Sequence, residues 1–440
     1  MHTLKVTLKQ HTPLIHFQHD QEGATLRASE VKPKLDKFIL ETNNYDDLDA
    51  DIKTCLIGYS DELDRNGKLR ESFHNGKCSL DYKLKIKSIG DRTTSNEQDL
   101  PSYFGEGAKG VSYHSVEITF LSKQSMLIDE IKSCISDFFI INNFGNRNNK
   151  GYGSFFVDTI DSEPNNLSFE DVEEVLKYYF QLVYQRNERP NDNLLKTIND
   201  DYQLLKSGKN YPYKKSIVFG YALSKGIRWE KRKIKREIYN AHNVNLNLMY
   251  NHPPRYGNHD EDLSWFEPGD DEWEGDELNA FRYCFIRALL GLPNHYEFKL
   301  ENDGICIVDI KRVRPYHDDD RPQDVITIGD RQFTYCDDIE RFQSPLMFKI
   351  ITLNNQSKLY LLSKENQFDT KMMRKTFIFQ IKKIKRGQEL IDLENPICFK
   401  IMTPNSNNFS LEELLQYATD DSRRDNIPFL NYIRLCNTQQ

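Results

Sequence analysis

The sequence predicts an α+β fold of two ferredoxin-like domains with helical insertions. Three observations carry that expectation. Apolar and polar residues alternate over 3–9, 80–89, 113–121 and 152–160, the period of a half-buried strand. Helical stretches fall between them, so the first 160 residues read strand, helix, strand, strand, helix, strand, a split βαβ order. Strand signals resume at 304–312, 344–353, 358–362 and 376–385, and Thr12-Pro13-Leu14-Ile15 is echoed by Ser344-Pro345-Leu346-Met347, which points to a second, related domain.

The elements follow in order. His11-Thr12-Pro13 ends the first strand, and 23–26 is a linker. Ser29 is the expected N-cap of a helix over 31–40, with Pro33 in its first turn, where a missing N–H costs nothing. Polar insertions occupy 42–79 and 91–112 and suit contacts with a partner. The second helix, 126–141, carries its apolar stripe at 127, 128, 131, 135, 138 and 139. Residues 161–166 form a linker, and helices are expected at 167–185, 193–207 and 225–240. The domains are therefore expected at 1–160, a helical bridge at 161–240, and a second unit at 241–440. That last unit opens on a helix at 277–290, ended by Gly291 and Pro293, and closes on a short helix at 411–417.

Hydrophobic residues at 38% and charged residues at 29% support a globular chain with a core and exclude a disordered one. The net charge of −8 is unusual for a polyanion binder, but it is a sum over patches. Eleven Lys/Arg lie between Lys206 and Arg236 against one acid, Glu230. Ten Asp/Glu and no Lys/Arg lie between Asp260 and Glu277, so a basic groove can coexist with an acidic loop. Eight cysteines without metal-finger spacing read as free thiols of a reducing cytosol. No run of 18 apolar residues occurs, so a cytoplasmic protein off the membrane is expected.

The segment Asn143-Phe144-Gly145-Asn146-Arg147-Asn148-Asn149-Lys150-Gly151-Tyr152-Gly153-Ser154 follows the second helix. Glycines allow close backbone approach, and amides and cations suit phosphate, so Gly145, Asn146, Arg147, Lys150, Gly151, Gly153 and Ser154 are candidate RNA contacts. Arg27, Lys32 and Lys34 at the start of the first helix join them, since a helix N-terminus favours anions. A secondary basic patch, Arg228, Trp229, Lys231, Arg232 and Lys235, offers cations beside a stacking ring.

These pieces resemble the RAMP superfamily of CRISPR RNA-binding proteins. Thr12-Pro13-Leu14 with Ala24 through Leu35 is similar to that family's first strand and helix, and Phe144 through Ser154 to its glycine-rich loop. Leu289-Leu290-Gly291-Leu292-Pro293 and Arg341 through Leu346 resemble motifs of the large first subunit of the Cmr, or type III-B, effector. The resemblance implies a non-catalytic subunit with no cofactor and no metal. It implies binding of the guide crRNA 3′ region and the target RNA at one end of a filament of other RAMP subunits.

Two other readings stand beside it. His11, His16 and His19 supply three imidazoles for a metal-independent endoribonuclease that processes guide precursor. The acidic run at 260–277 suits a protein-interaction scaffold. Asp318-Asp319-Asp320, bracketed by Pro315 and Pro322, reads as a solvated loop rather than a magnesium site.

Overall fold

The computed structural model describes residues 1–16, 25–42, 50–57, 79–95, 110–188, 193–210, 213–230, 233–234, 283–291, 295–299, 304–315, 325–328, 331–335, 344–363, 372–386, 389–420 and 429–436. The chain divides into two units, the first comprising Met1–Asp201, Leu346–Lys364 and Asn431–Gln440, the second Tyr202–Pro345 and Glu365–Leu430. Seven α-helices and several antiparallel sheets occur among the described residues.

The first unit begins with β1 (His2–Gln10) and β2 (Leu14–Ile15), then α1 (Ala28–Thr42) and α2 (Ala50–Thr54). Next come β3 (Lys83–Ser95), β4 (Gly110–Ser122), α3 (Ser125–Ile141), β5 (Phe155–Ile160) and β6 (Glu163–Pro164). The strands pair antiparallel in the order β3–β4–β1–β5. Alternation explains the pairing face: Leu4, Val6 and Leu8 are buried in register with Phe120, Ile118 and Val116. Against that face packs α3, whose buried residues are Leu127, Ile128, Ile131, Ile135, Phe138, Phe139, Ile140 and Ile141. At about 1.5–3 kcal/mol each, such side chains contribute a gross term of roughly 12–24 kcal/mol before ordering entropy.

Helix α1 differs from expectation at its start. It begins at Ala28, with Val31 N donating to Arg27 O at 2.9 Å, so Ser29 lies inside the helix and does not cap it. Pro33 is an interior residue and removes one backbone bond. Burial of Val31, Leu35, Phe38 and Ile39 on one stripe holds the helix regardless.

Helix α4 (Phe169–Tyr179) ends before the expected 185 and gives way to β7 (Leu182–Glu188). Its start is fixed by a capping box in which Ser168 Oγ accepts from Asp171 N and the Asp171 carboxylate accepts from Ser168 N. α5 (Leu194–Lys206) leads into β8 (Lys209–Asn210), β9 (Tyr213–Lys214) and α6 (Ile217–Ser224). Where a helix over 225–240 is expected, residues 228–229 form β10 (Arg228–Trp229), entered by the turn at Gly226. Where a helix over 277–290 is expected, the described part is β11 (Tyr283–Cys284) and a 3-10 turn at Arg287–Leu290. The second unit continues with β12 (His295–Lys299), β13 (Gly304–Pro315), β14 (Val325–Ile328) and β15 (Arg331–Tyr335).

The chain returns to the first unit for β16 (Leu346–Leu353) and β17 (Gln356–Ser363), a hairpin closed at Asn354 and Asn355, both with positive φ. It builds β18 (Thr376–Arg386), β19 (Glu389–Met402) and α7 (Leu411–Thr419) in the second unit, then ends on β20 (Ile433–Arg434) in the first. β16, β17, β7 and β20 form an antiparallel sheet in that order. In the second unit β13, β18 and β19 are the long antiparallel strands, over a core that includes Phe285, Phe377 and Phe379.

Candidate nucleic-acid interface

The glycine-rich segment is a tight double-back after α3. Asn143 bridges Ser154, and Phe144 N donates to Gly153 O at 2.9 Å. Gly145, Gly151 and Gly153 have φ of +75°, +80° and +65°. A Cβ on Gly153 would sit 1.9 Å from Phe144 O, and one on Gly145 would sit 2.7 Å from Ile15 O. A Cβ on Gly151 would meet Ile198 Cδ1 at 2.6 Å. The close approach expected from the glycines is present, but the atoms approached are the protein's own. Ser154 also faces inward: its Oγ donates to Ile350 O at 2.7 Å, and its N donates to Thr12 Oγ1 at 2.9 Å.

What remains at the surface is the crest of the turn. Asn146 is exposed, and Arg147, Asn148, Asn149 and Lys150 are half-buried. Arg147 is held at φ +57°. Burial, and next the charge of Arg147, lower the Lys150 ammonium to about 8. The crest is anchored to β16, because Phe348 N donates to Asn149 O at 2.9 Å and Asn143 Nδ2 donates to Phe348 O at 2.8 Å.

The α1 cations make internal contacts. Arg27 Nη2 donates to His16 Nδ1 at 3.1 Å. Lys32 Nζ donates to Leu80 O at 2.7 Å and to Asp36 Oδ2 at 3.1 Å, and stands 3.7 Å from the Tyr82 ring centre. Lys34 Nζ donates to Glu30 Oε1 at 2.9 Å and Asn143 O at 3.1 Å. Glu30 Oε1 also accepts from Gly145 N at 2.8 Å, so α1 grips the loop. The sequence signal for these roles is the acid one turn away from each lysine, Asp36 from Lys32 and Glu30 from Lys34.

In the secondary patch, Lys231, Arg232 and Lys235 lie outside the described residues. Arg228 Nη1 donates to Tyr283 Oη at 3.3 Å. Trp229 Nε1 donates to Glu230 Oε1 at 2.6 Å, and its ring packs 5.2 Å from Phe219. Glu230, met in the sequence only as the lone acid of a basic run, is fully buried and also accepts from Ile286 N and Tyr296 Oη. Burial raises its pKa, against the pull of Arg287 and these donors.

His11 stacks on Phe156 with 5.9 Å between ring centres, and burial, then the charge of Lys349, lower its pKa to about 3. His16 is buried. His19, the acidic run 260–277 and Asp318–Asp320 lie outside the described residues. Among the described residues no group of three or more His, Cys, Asp or Glu is arranged to hold a metal ion. Cys55, Cys134, Cys284, Cys306, Cys398 and Cys436 are free thiols. No helix of the described residues is long and apolar enough to cross a membrane.

A family model of the Cmr1 N-terminal domain matches residues 1–209, and one of the Cmr1 C-terminal domain matches 213–434. This chain belongs to the Cmr1 family. Cmr1 is a subunit of the multi-protein Cmr, type III-B, CRISPR effector complex. The crystal structure of Cmr1 from Pyrococcus furiosus (apo form) is similar at 10% identity, over 82% of this chain and 88% of that chain, with a TM-score of 0.36. A search of the curated proteins finds no match.

One further residue shapes the loop of this Cmr1-family chain and went unread in the sequence. Lys349, on β16, is fully buried, and its Nζ donates to Phe139 O at 2.8 Å, Asn142 O at 2.7 Å and Phe155 O at 3.3 Å. Two of these, Phe139 O and Asn142 O, are carbonyls at the C-terminus of α3, where a cation also suits the helix dipole, and the third belongs to β5. Desolvation drives its pKa well below the usual lysine range. The glycine-rich turn starts from that capped helix end.

Proposed function

We propose that this chain is a non-catalytic RNA-binding subunit of a type III-B CRISPR effector complex. In this reading it holds the 3′ region of the guide RNA and the target RNA at one end of the filament, beside other RAMP subunits. The observation that carries the reading is the crest Asn146–Lys150. Two cations stand together there, the Lys150 ammonium lowered first by burial and then by the charge of Arg147, on a turn whose glycines tolerate no side chain. A phosphate relieves that repulsion, and a rigid turn loses little entropy when it binds one.

The antiparallel order β3–β4–β1–β5 supports the same reading, since RNA-recognition modules also use a four-stranded sheet. The endoribonuclease alternative draws no support from His11, which is neutral at physiological pH and packed against Phe156. The test is the double variant Arg147→Ala, Lys150→Ala in the assembled complex. Guide retention and target binding are expected to weaken by about tenfold or more, roughly 1.4 kcal/mol. Unchanged retention and binding would overturn the assignment.

A further inference from the structure

The first sheet has two faces of opposite character. One is the apolar face packed by α3. The other carries Lys5 and Lys9 on β1 and Lys83, Lys85 and Lys87 on β3, all exposed. Register sets them in rows. Lys85 pairs with Thr119, which pairs with Lys5. Lys87 pairs with Glu117, and Ser115 pairs with Lys9. Two lysine columns thus flank a strip of Ser115, Glu117 and Thr119, about 10 Å apart across two strand spacings. Along β3 the lysines recur about every 7 Å, two residues of extended chain.

No ion pair joins any of the five to another described residue. Like charges on one sheet face repel, so an unliganded face carries a cost that alternating signs would remove. Lysines on an edge strand commonly guard against edge-to-edge aggregation, and β3 is an edge. That explanation does not reach Lys5 and Lys9, which sit two strands in, on β1. A protein-docking face would have an apolar centre with charge at its rim. Here Glu117 and hydroxyls occupy the centre, with a lysine at every second residue along β3 and at every fourth along β1, where Thr7 stands between Lys5 and Lys9.

We propose that this face is a second, sequence-independent track for single-stranded RNA, held through its phosphates by Lys5, Lys9, Lys83, Lys85 and Lys87. The proposal rests on the RNA-binding reading above and adds a site apart from the crest. It differs from aromatic sheet platforms in gripping backbone rather than stacking bases.

The test uses the full chain and a fluorescein-labelled oligouridylate, with anisotropy followed between about 50 and 200 mM salt. Replacing all five lysines by glutamine is expected to weaken binding about tenfold at the low end. The slope of log affinity against log salt should fall by roughly 2–3.5, at about 0.7 per lost contact. Replacement by arginine should retain both. The five are exposed and their mutual repulsion is lost, so thermal unfolding of the glutamine variant should not fall. In the unsubstituted chain, oligouridylate should protect Lys83, Lys85 and Lys87 from acetylation, which needs no variant.

If the chain binds oligouridylate and the glutamine variant matches it in affinity and slope, the track is refuted while the RNA reading stands. If the unsubstituted chain binds none, the RNA reading falls and takes the track with it. If the glutamine variant loses polyglutamate binding but keeps RNA, the occupant is an acidic protein and the proposal is wrong.

Discussion

Replacing Gly153 by alanine separates two reasons for a glycine. If the residue exists to admit a ligand, alanine should cost affinity and spare stability. The structure argues the opposite. At φ +65° a side chain costs about 1–2 kcal/mol. The added Cβ would lie 1.9 Å from Phe144 O and 2.8 Å from Phe144 C, both backbone atoms, so the turn must open by more than about 1 Å. That movement breaks Phe144 N to Gly153 O and Gly153 N to Pro13 O, each 2.9 Å long and each worth about 1 kcal/mol net. The sum is about 3–4 kcal/mol. Gly226 is the control: its φ is +73°, yet a Cβ there meets nothing within 4 Å. Gly226→Ala should cost about 1 kcal/mol, reduced further by the stiffer unfolded chain. Calorimetry should read the Gly153→Ala cost as a melting shift of roughly 6–16 °C, at about 2–4 °C per kcal/mol in a unit of this size. Costs within about 1 kcal/mol of each other would refute the packing argument.

Two other outcomes follow from the buried ionisable groups. Lys349→Met removes the donor shared by Phe139 O, Asn142 O and Phe155 O, and urea unfolding should show a loss of about 2 kcal/mol, after the relief of not burying an ammonium. A variant as stable as the parent would show that those carbonyls find other donors. His11, held down to about 3 when folded and near 6.5 when unfolded, binds fewer protons in the native state. Its contribution is therefore complete above pH 6.5 and is lost as pH falls towards 3. His11→Phe should flatten that acid limb by up to about 5 kcal/mol, and urea midpoints with the same pH dependence in both proteins would count against it.

The first four main strands and their two long helices were legible because each signal is local. A two-residue alternation or an apolar stripe needs no knowledge of distant chain. β7 was not legible: Tyr178 through Tyr184 continues the apolar tone of α4, and only pairing with β17 makes it a strand. Lys349 was missed for the same reason. In an alternating strand a lysine reads as solvent-facing, and it is buried because β16 runs past the end of α3. The loop glycines mark a tight turn, but sequence cannot say whether backbone or ligand fills the space beside them, and here it is the protein's own atoms. The acids at Glu30 and Asp36 were visible in the sequence as partners one turn away, and they bind Lys34 and Lys32.

Strand β7 receives its neighbours late in synthesis. Its apolar residues Leu182, Val183 and Tyr184 are almost wholly buried once β17 and β20 flank it. During translation, both edges of that strand stay open until the ribosome has passed Ser363 and then Arg434. A nascent chain stalled or cut near residue 209 would therefore display a bare, sticky ribbon. The first sheet, complete by Pro164, can form early, whereas the sheet around β7 waits for strands that follow residue 345.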